Sequence, residues 1–333
     1  MKLGLAGTGR IGTSHAETLK GFDEVSEVVV ADVDAGRARA AAAKLGVTAV
    51  ESIDALFGAG LDGLVVTAAT DAHPALITRA VDAGLPVFCE KPVAVDLSGT
   101  LAVIEHITGS DVPVQIGFQR RFDAGYTAAR AAVASGELGW LHTVRATTLD
   151  AAPPPAEYVP HSGGLFRDCG VHDFDIIRWV TGRAVTEVYA RGANRGERFF
   201  ADAGDVDTGA ATLTLDDGTL VTVSLSRYNG AGHDVRLEVL GSVANVVVGL
   251  DDRVPLRSVE PGVPALPGPV YPGFMERFRP AYTSELKTFL DVVARRAESP
   301  CGVLDALEAF YIAEACELSR RERRPVTVAE VRR

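Results

Sequence analysis

The chain opens with Lys2-Leu3-Gly4-Leu5-Ala6-Gly7-Thr8-Gly9-Arg10-Ile11-Gly12. Lys2–Ala6 reads as a strand and Ile11–Lys20 as a helix, with a GxGxxG turn between them. Each glycine has a use there. Gly7 permits the tight turn, Gly9 lets a pyrophosphate approach the backbone, and Gly12 lets helix and strand pack closely. The helix start at Arg10 and Ile11 offers free N–H groups to phosphate oxygens. The next strand, Glu27–Ala31, runs into Asp32. An acid at that point hydrogen-bonds the adenosine ribose and repels a 2′-phosphate. NAD is the expected cofactor, and Arg10, Arg37 and Arg39 keep NADP possible.

Working outward, the first ~120 residues alternate strands and helices, as in a doubly wound parallel sheet. Helices are predicted over Ala35–Leu45, Asp54–Phe57, Pro74–Ala83 and from Leu97 to about Thr108. Strands are predicted over Leu64–Thr67, Pro86–Cys89 and Val114–Gly117. The pattern then changes. A helix is predicted over Tyr126–Ala134, a strand over Leu141–Thr148, a proline-rich loop over 151–160 and a helix over Leu165–Val180. Strands follow over Val185–Arg191, Gly209–Leu215, Thr219–Arg227, Val235–Leu240 and Ala244–Val248. Asp216-Asp217-Gly218 supplies a hairpin turn, so this sheet is predicted to be open and mostly antiparallel. Residues 255–280 read as a long loop. Helices over Ser284–Ala297 and Asp305–Arg323 close the chain, the second opening on a capping-box-like Asp305-x-x-Glu308. The predicted fold class is α/β, with a dinucleotide-binding domain over 1–120 and a substrate-binding and oligomerisation domain over 121–333. The last helix and tail are free to pack back on the first.

Composition excludes several classes. The 333 residues carry 33 Lys plus Arg against 44 Asp plus Glu, a net charge of −11. Such a chain repels nucleic acid and anionic membranes, so neither is an expected partner. No apolar run reaches the ~20 residues of a membrane span. Cys89, Cys169, Cys301 and Cys316 are scattered without a CxxC pair, so no metal site is expected and a reducing cytoplasm fits best.

Two constellations carry chemistry. Glu90-Lys91-Pro92 follows a predicted strand at its carboxyl end, where ligands bind in such sheets. A lysine there hydrogen-bonds a substrate hydroxyl and stabilises the developing alkoxide; a surface lysine is the plainer alternative. Asp168 and His172 are four residues apart and share a helix face, with Asp175 continuing the stripe. A histidine beside a carboxylate removes a hydroxyl proton near neutral pH. An isolated DxxxH is more often a structural pair that stabilises a helix, since such i,i+4 pairs are common.

Taken together, these segments resemble the glucose–fructose oxidoreductase/inositol dehydrogenase (Gfo/Idh/MocA) family over nearly the whole chain. The resemblance rests on GTGRIGTSHAETL, the stretch TDAHPALITRAVDAGLPVFCEKPVAVD, QIGFQRRFDAGY and SGGLFRDCGVHDFDIIRWVTG, with EVLGS and DALEAFYIAEA later. It implies a Rossmann domain, then an α/β domain, and oxidation or reduction of a secondary alcohol on a polyol or sugar. By match to the family motifs, Lys91, Asp168 and His172 are the catalytic residues. Thr70, His73 and Glu90 join the cofactor set, His73 near the nicotinamide. Arg121, Asp150 and His233 join Lys91, Asp168 and His172 on the substrate side. The chain departs from the family at Ala68-Ala69, Leu149-Asp150-Ala151 and Gly232-His233-Asp234.

The expectation is thus an NAD-dependent cyclitol or polyol dehydrogenase, similar to inositol 2-dehydrogenases. The alternatives are an NADP(H)-dependent sugar reductase and a non-catalytic dinucleotide-binding sensor. Small outward residues in ATLTL and TVSLS suit a sheet-to-sheet contact, so a homodimer or homotetramer is expected.

Overall fold

The computed structural model describes residues 1–264 and 267–332. Ala265 and Leu266, within the expected long loop, and Arg333 lie outside the described residues. Among the described residues the strands form two sheets, one of six strands and one of seven.

The first sheet draws on β1 (Lys2–Ala6), β2 (Glu27–Ala31), β3 (Thr48–Ala49), β4 (Gly63–Val66), β5 (Val87–Glu90) and β6 (Val114–Gly117). Its order is β3-β2-β1-β4-β5-β6 and every pair is parallel. The helices between them are α1 (Arg10–Lys20), α2 (Ala35–Leu45), α3 (Ile53–Phe57), α4 (His73–Asp82) and α5 (Leu97–Ile107). Strand order reverses between β1 and β4, the switch point at which such sheets bind dinucleotides. The two-residue β3 has no counterpart in the predicted elements; a run that short shows no periodicity.

The second sheet comprises β7 (Leu141–Leu149), β8 (Val185–Ala193), β9 (Thr208–Leu215), β10 (Leu220–Ser226), β11 (Asp234–Gly241), β12 (Asn245–Val248) and β13 (Val326–Thr327). Its order is β12-β11-β7-β10-β9-β8-β13. All pairs are antiparallel except β7 with β10. The remaining helices of the chain are α6 (Ala124–Ala134), α7 (Val171–Thr181), the short α8 (Phe199–Asp202) and α9 (Phe274–Arg277), then α10 (Arg279–Val293) and α11 (Val303–Glu322).

The helix expected from Leu165 opens instead as a π-helical segment, Phe166–Gly170, and becomes α-helical only at Val171. Two positive-φ glycines, Gly163 and Gly164, lead into it. Gly170 lies so close to β10 that a Cβ there would stand 3.0 Å from Leu225. Tertiary packing thus overrides the regular helical period, as is common for π segments at functional sites. Asp168 and His172 therefore do not lie on one regular α-helix.

The chain divides into two compact units. The first is Met1–Gln119 with Ala281–Leu307; the second is Arg120–Pro280 with Glu308 onward. This differs from a single division at 120. Most of α10 belongs to the first unit, whereas most of α11 and the tail belong to the second. The reason is burial: Leu286, Phe289, Leu290 and Val292 of α10 join Leu3, Leu5, Val30, Val65 and Phe88 in one core. Each large apolar side chain so buried contributes about 1.5–3 kcal/mol. The 255–280 stretch is also less irregular than expected, since α9 lies within it and α10 begins at Arg279 with Pro280 in its first turn. Helix α11 begins at Val303, and the carboxylate of Asp305 accepts from the Gly302 N–H. Asp305 is thus the back-reaching acid of the first turn rather than the cap itself.

Candidate functional site

In the first unit the glycine turn is built for a close ligand. Gly7 has φ +101°, and a Cβ there would stand 2.5 Å from the Ala68 nitrogen. A Cβ at Gly12 would overlap the Gly7 carbonyl oxygen. Gly9 is the opposite case, with no heavy atom within 4 Å of its ideal Cβ. It caps α1 without any side-chain hydrogen bond. Two glycines are thus required by the protein itself, and the third leaves room beside a helix N-terminus. That combination fits the pyrophosphate of a dinucleotide.

Asp32 follows β2 and is buried. Its carboxylate accepts from the Thr8 N–H at 2.7 Å, the Thr8 hydroxyl at 3.0 Å, the Asp34 N–H at 3.0 Å and Arg37 Nη2 at 2.7 Å. Burial pushes its pKa up, but the donors from Thr8, Asp34 and Arg37 outweigh it and hold the carboxyl below its ordinary value. Of the arginines near the turn, Arg37 faces Asp32 and Arg39 pairs with Glu51. Arg10 is exposed, Ile11 is partly exposed, and Thr70 lies in a 3₁₀ turn over Thr70–Ala72.

The Glu-Lys-Pro segment ends β5. Glu90 Oε1 lies 2.8 Å from His15 Nε2 on α1, a pair buried beside Phe88 and Tyr282. Lys91 is half-buried and precedes Pro92 through a cis peptide. His73 Nδ1 lies 2.7 Å from the Pro92 carbonyl and Nε2 lies 3.1 Å from the Ala68 carbonyl. It therefore braces the loop after β4 against the segment that carries Lys91.

In the second unit three strand ends meet. Asp150 follows β7, Arg227 follows β10 and His233 precedes β11. The guanidinium of Arg227 is buried and donates to Asp168 Oδ2 at 2.7 Å, Asp150 Oδ2 at 3.2 Å and Cys169 Sγ at 2.8 Å. Burial works against its charge, yet Cys169, Asp168 and Asp150 keep its pKa above the ordinary arginine value. The other oxygen of Asp168 accepts from the Tyr158 hydroxyl at 3.1 Å. Burial and the charge of Asp168 push the Tyr158 phenol up. His233 Nδ1 lies 3.6 Å from Asp150 Oδ1. Burial lowers the His233 pKa more than Asp150 raises it, and its Nε2 has no hydrogen-bond partner among the described residues. His172 is half-buried near the start of α7.

The rest of the expected acidic stripe turns inward. Arg121 donates to Asp175 through Nε at 2.9 Å and through Nη2 at 2.5 Å, and both residues are buried. One residue earlier, Arg120 pairs with Asp173 at 2.6 Å. These two pairs clamp α7 to the 3₁₀ turn Gln119–Phe122. Sequence reading missed Arg227, Tyr158, Arg120 and His15. The one available signal was a charged residue ending an apolar strand, Ser226-Arg227.

No three His, Cys, Asp or Glu side chains among the described residues stand together as a metal site. No helix among them is long and apolar enough to cross a membrane.

Comparison with known proteins agrees with this construction. Residues 1–118 match the family model for the oxidoreductase family with an NAD-binding Rossmann fold, and residues 126–247 match the GFO/IDH/MocA C-terminal domain. The myo-inositol dehydrogenase Hyg17 of Streptomyces leeuwenhoekii is 37% identical, over 96% of this chain and 97% of its own length. The myo-inositol 2-dehydrogenase of Thermotoga maritima is 34% identical over 99% of both chains. The solved scyllo-inositol dehydrogenase of Lactobacillus casei, with bound NAD(H) and scyllo-inositol, is 28% identical over 99% of both chains and superposes with a TM-score of 0.89. Residues 1–118 thus form the NAD-binding Rossmann domain of an oxidoreductase, and the chain belongs to the Gfo/Idh/MocA family.

Proposed function

We propose that the chain oxidises a ring hydroxyl of a cyclitol, as an inositol 2-dehydrogenase does. The observation that carries this reading is Asp168, held by Arg227 and Tyr158 just ahead of His172. The chain's relatives over nearly its full length bear the names of inositol dehydrogenases. When bound, NAD supplies the acceptor for the hydrogen on the reacting carbon.

The chain's own side chains manage the hydroxyl. His172 takes its proton as general base. Asp168 orients that imidazole and opposes the positive charge it gains. Lys91 hydrogen-bonds the oxygen as negative charge develops there. Asp150 and His233 face the remaining ring hydroxyls. Arg121 serves the site indirectly, holding α7 in place through Asp175. On the cofactor side, Gly7, Gly9, Arg10, Ile11 and Gly12 cradle the pyrophosphate and Asp32 takes the ribose. Thr70, His73 and Glu90 order the loops beside it.

The test is a screen of inositols, amino-cyclitols and aldoses with NAD and with NADP, following reduced nicotinamide. Cyclitol turnover with NAD supports the reading. Arg37, paired with Asp32, favours a second reading, an NADP(H)-dependent sugar reductase, and NADP-only turnover of open sugars would establish it. No turnover with any substrate would favour a sensor.

The same reading includes a homodimer or homotetramer built on the outer face of the second sheet. Its exposed positions on β9 and β10 are Ala210, Thr212, Leu220, Thr222 and Ser224, small or apolar and uncharged. Light scattering at the monomer mass would contradict it. The four free, buried cysteines suit a reducing cytoplasm.

A further inference from the structure

We propose that Arg227 is the positioning residue of this site: one buried guanidinium sets the place and the charge of both Asp168 and Asp150. The inference rests on the dehydrogenase reading, but its grounds are the hydrogen bonds of the second unit.

The scaffold for this role is rigid. The Arg227 N–H donates to the Asp207 carbonyl at 2.8 Å, and the Asp150 N–H donates to the Ser226 carbonyl at 2.9 Å. The two residues therefore emerge side by side from parallel strands β10 and β7. Asp168 arrives from a different element, the π segment, and the Asp168 N–H is tied to the Gly164 carbonyl at 2.9 Å. The guanidinium joins the two strand ends to that segment, beside a weaker link in which the Cys169 thiol donates to Asp150 Oδ2 at 3.7 Å. Its planar fork serves Asp168 from Nη2 and Asp150 and Cys169 from Nη1. A lysine presents a point charge and no such fork.

Charge makes the same case. Asp150 and Asp168 repel each other in a partly buried site, and unpaired burial is costly for either. Other titratable groups that touch Asp168 or Asp150 among the described residues are Tyr158, Cys169 and His233. The Tyr158 phenol carries no positive charge in either protonation state, and burial lowers the His233 pKa, which disfavours its cation. Arg227 is a cation that touches both carboxylates. Without it, one of them takes up a proton, and Asp168 loses the fixed charge that opposes a protonated His172.

The experiment compares wild type, Arg227→Lys, Arg227→Met and Arg227→Met/Asp168→Asn in two readouts. The first needs no substrate: carboxyl infrared spectra at neutral pH. The expected result is a new protonated-carboxyl band in Arg227→Met that Arg227→Lys lacks. The second is turnover with the best cyclitol. Arg227→Met is expected to lose about 100-fold or more in kcat, as for a misplaced catalytic group, with NAD affinity unchanged. Arg227→Lys is expected to recover part of that kcat. Should Arg227→Met fail to fold, Arg227→Lys and the charge-balanced double variant carry the comparison; a double variant that folds where the single one does not supports the charge role. No new band and a kcat within about threefold of wild type would overturn the proposal. If wild type turns over no cyclitol, the functional reading falls, and the infrared comparison still decides the role of Arg227.

Discussion

His15 Nε2 stands 2.8 Å from Glu90 Oε1, joining the helix that follows the glycine turn to the residue before Lys91. Phe88 and Tyr282 enclose the imidazole, at ring-centroid distances of 5.7 and 5.5 Å. The pair makes cofactor loop and lysine one mechanical unit. His15→Leu strands the Glu90 carboxylate and should cost about 1–3 kcal/mol. Urea unfolding measures this. A variant as stable as wild type would show that Glu90 finds another partner.

The three glycines should separate in experiment. Gly12→Ala drives a Cβ into the Gly7 carbonyl, so it should lower both melting temperature and NAD affinity. Gly9→Ala meets no protein atom, so stability should stay within about 1 kcal/mol, the usual helix-end range, while NAD affinity falls. Calorimetry and an NAD fluorescence titration read the two effects separately.

The Arg121–Asp175 pair is buried and joined by two hydrogen bonds. Breaking a buried pair by removing one partner typically costs about 3–5 kcal/mol. Asp175→Asn and Arg121→Met should each be strongly destabilised. The double variant should recover much of the loss, and a double-mutant cycle in urea checks it.

Asp32 gives a pH signature. Its folded-state pKa lies below the ordinary value, so its stabilisation is present above an unfolded pKa of about 3.9. It is lost as pH falls through the lower folded value. Asp32→Asn should therefore be less stable than wild type at neutral pH, and the gap should close in acid. Melting curves from neutral to acid pH follow it; a constant gap would assign the effect to hydrogen bonding alone.

Much of this was legible in the chain itself. The order strand, Gly7-Thr8-Gly9-Arg10-Ile11-Gly12, helix, then strand and Asp32, specifies a unit that closes locally, with β1 paired to β2 and Thr8 to Asp32. Asp216-Asp217-Gly218 likewise marks the β9–β10 hairpin. What escaped depends on distant contacts. The apolar face of α10 announces burial but not the partner, and its partner is the sheet formed by the first third of the chain. The π segment ends at Gly170, which packs on the distant Leu225. Arg227 looks like any strand-ending arginine until the fold brings Asp150 and Asp168 to it. The same holds for Tyr158, which a proline-rich loop carries to Asp168.

The central claim is that a cyclitol hydroxyl is oxidised with Lys91 on its oxygen. Steady-state turnover of Lys91→Met with NAD and an inositol, beside its NAD dissociation constant, tests this most directly. The account expects kcat to fall about 100- to 1,000-fold, the usual loss of an oxyanion-stabilising donor, with NAD binding intact. Wild-type turnover in that variant, or no inositol turnover by the wild-type enzyme, would contradict it.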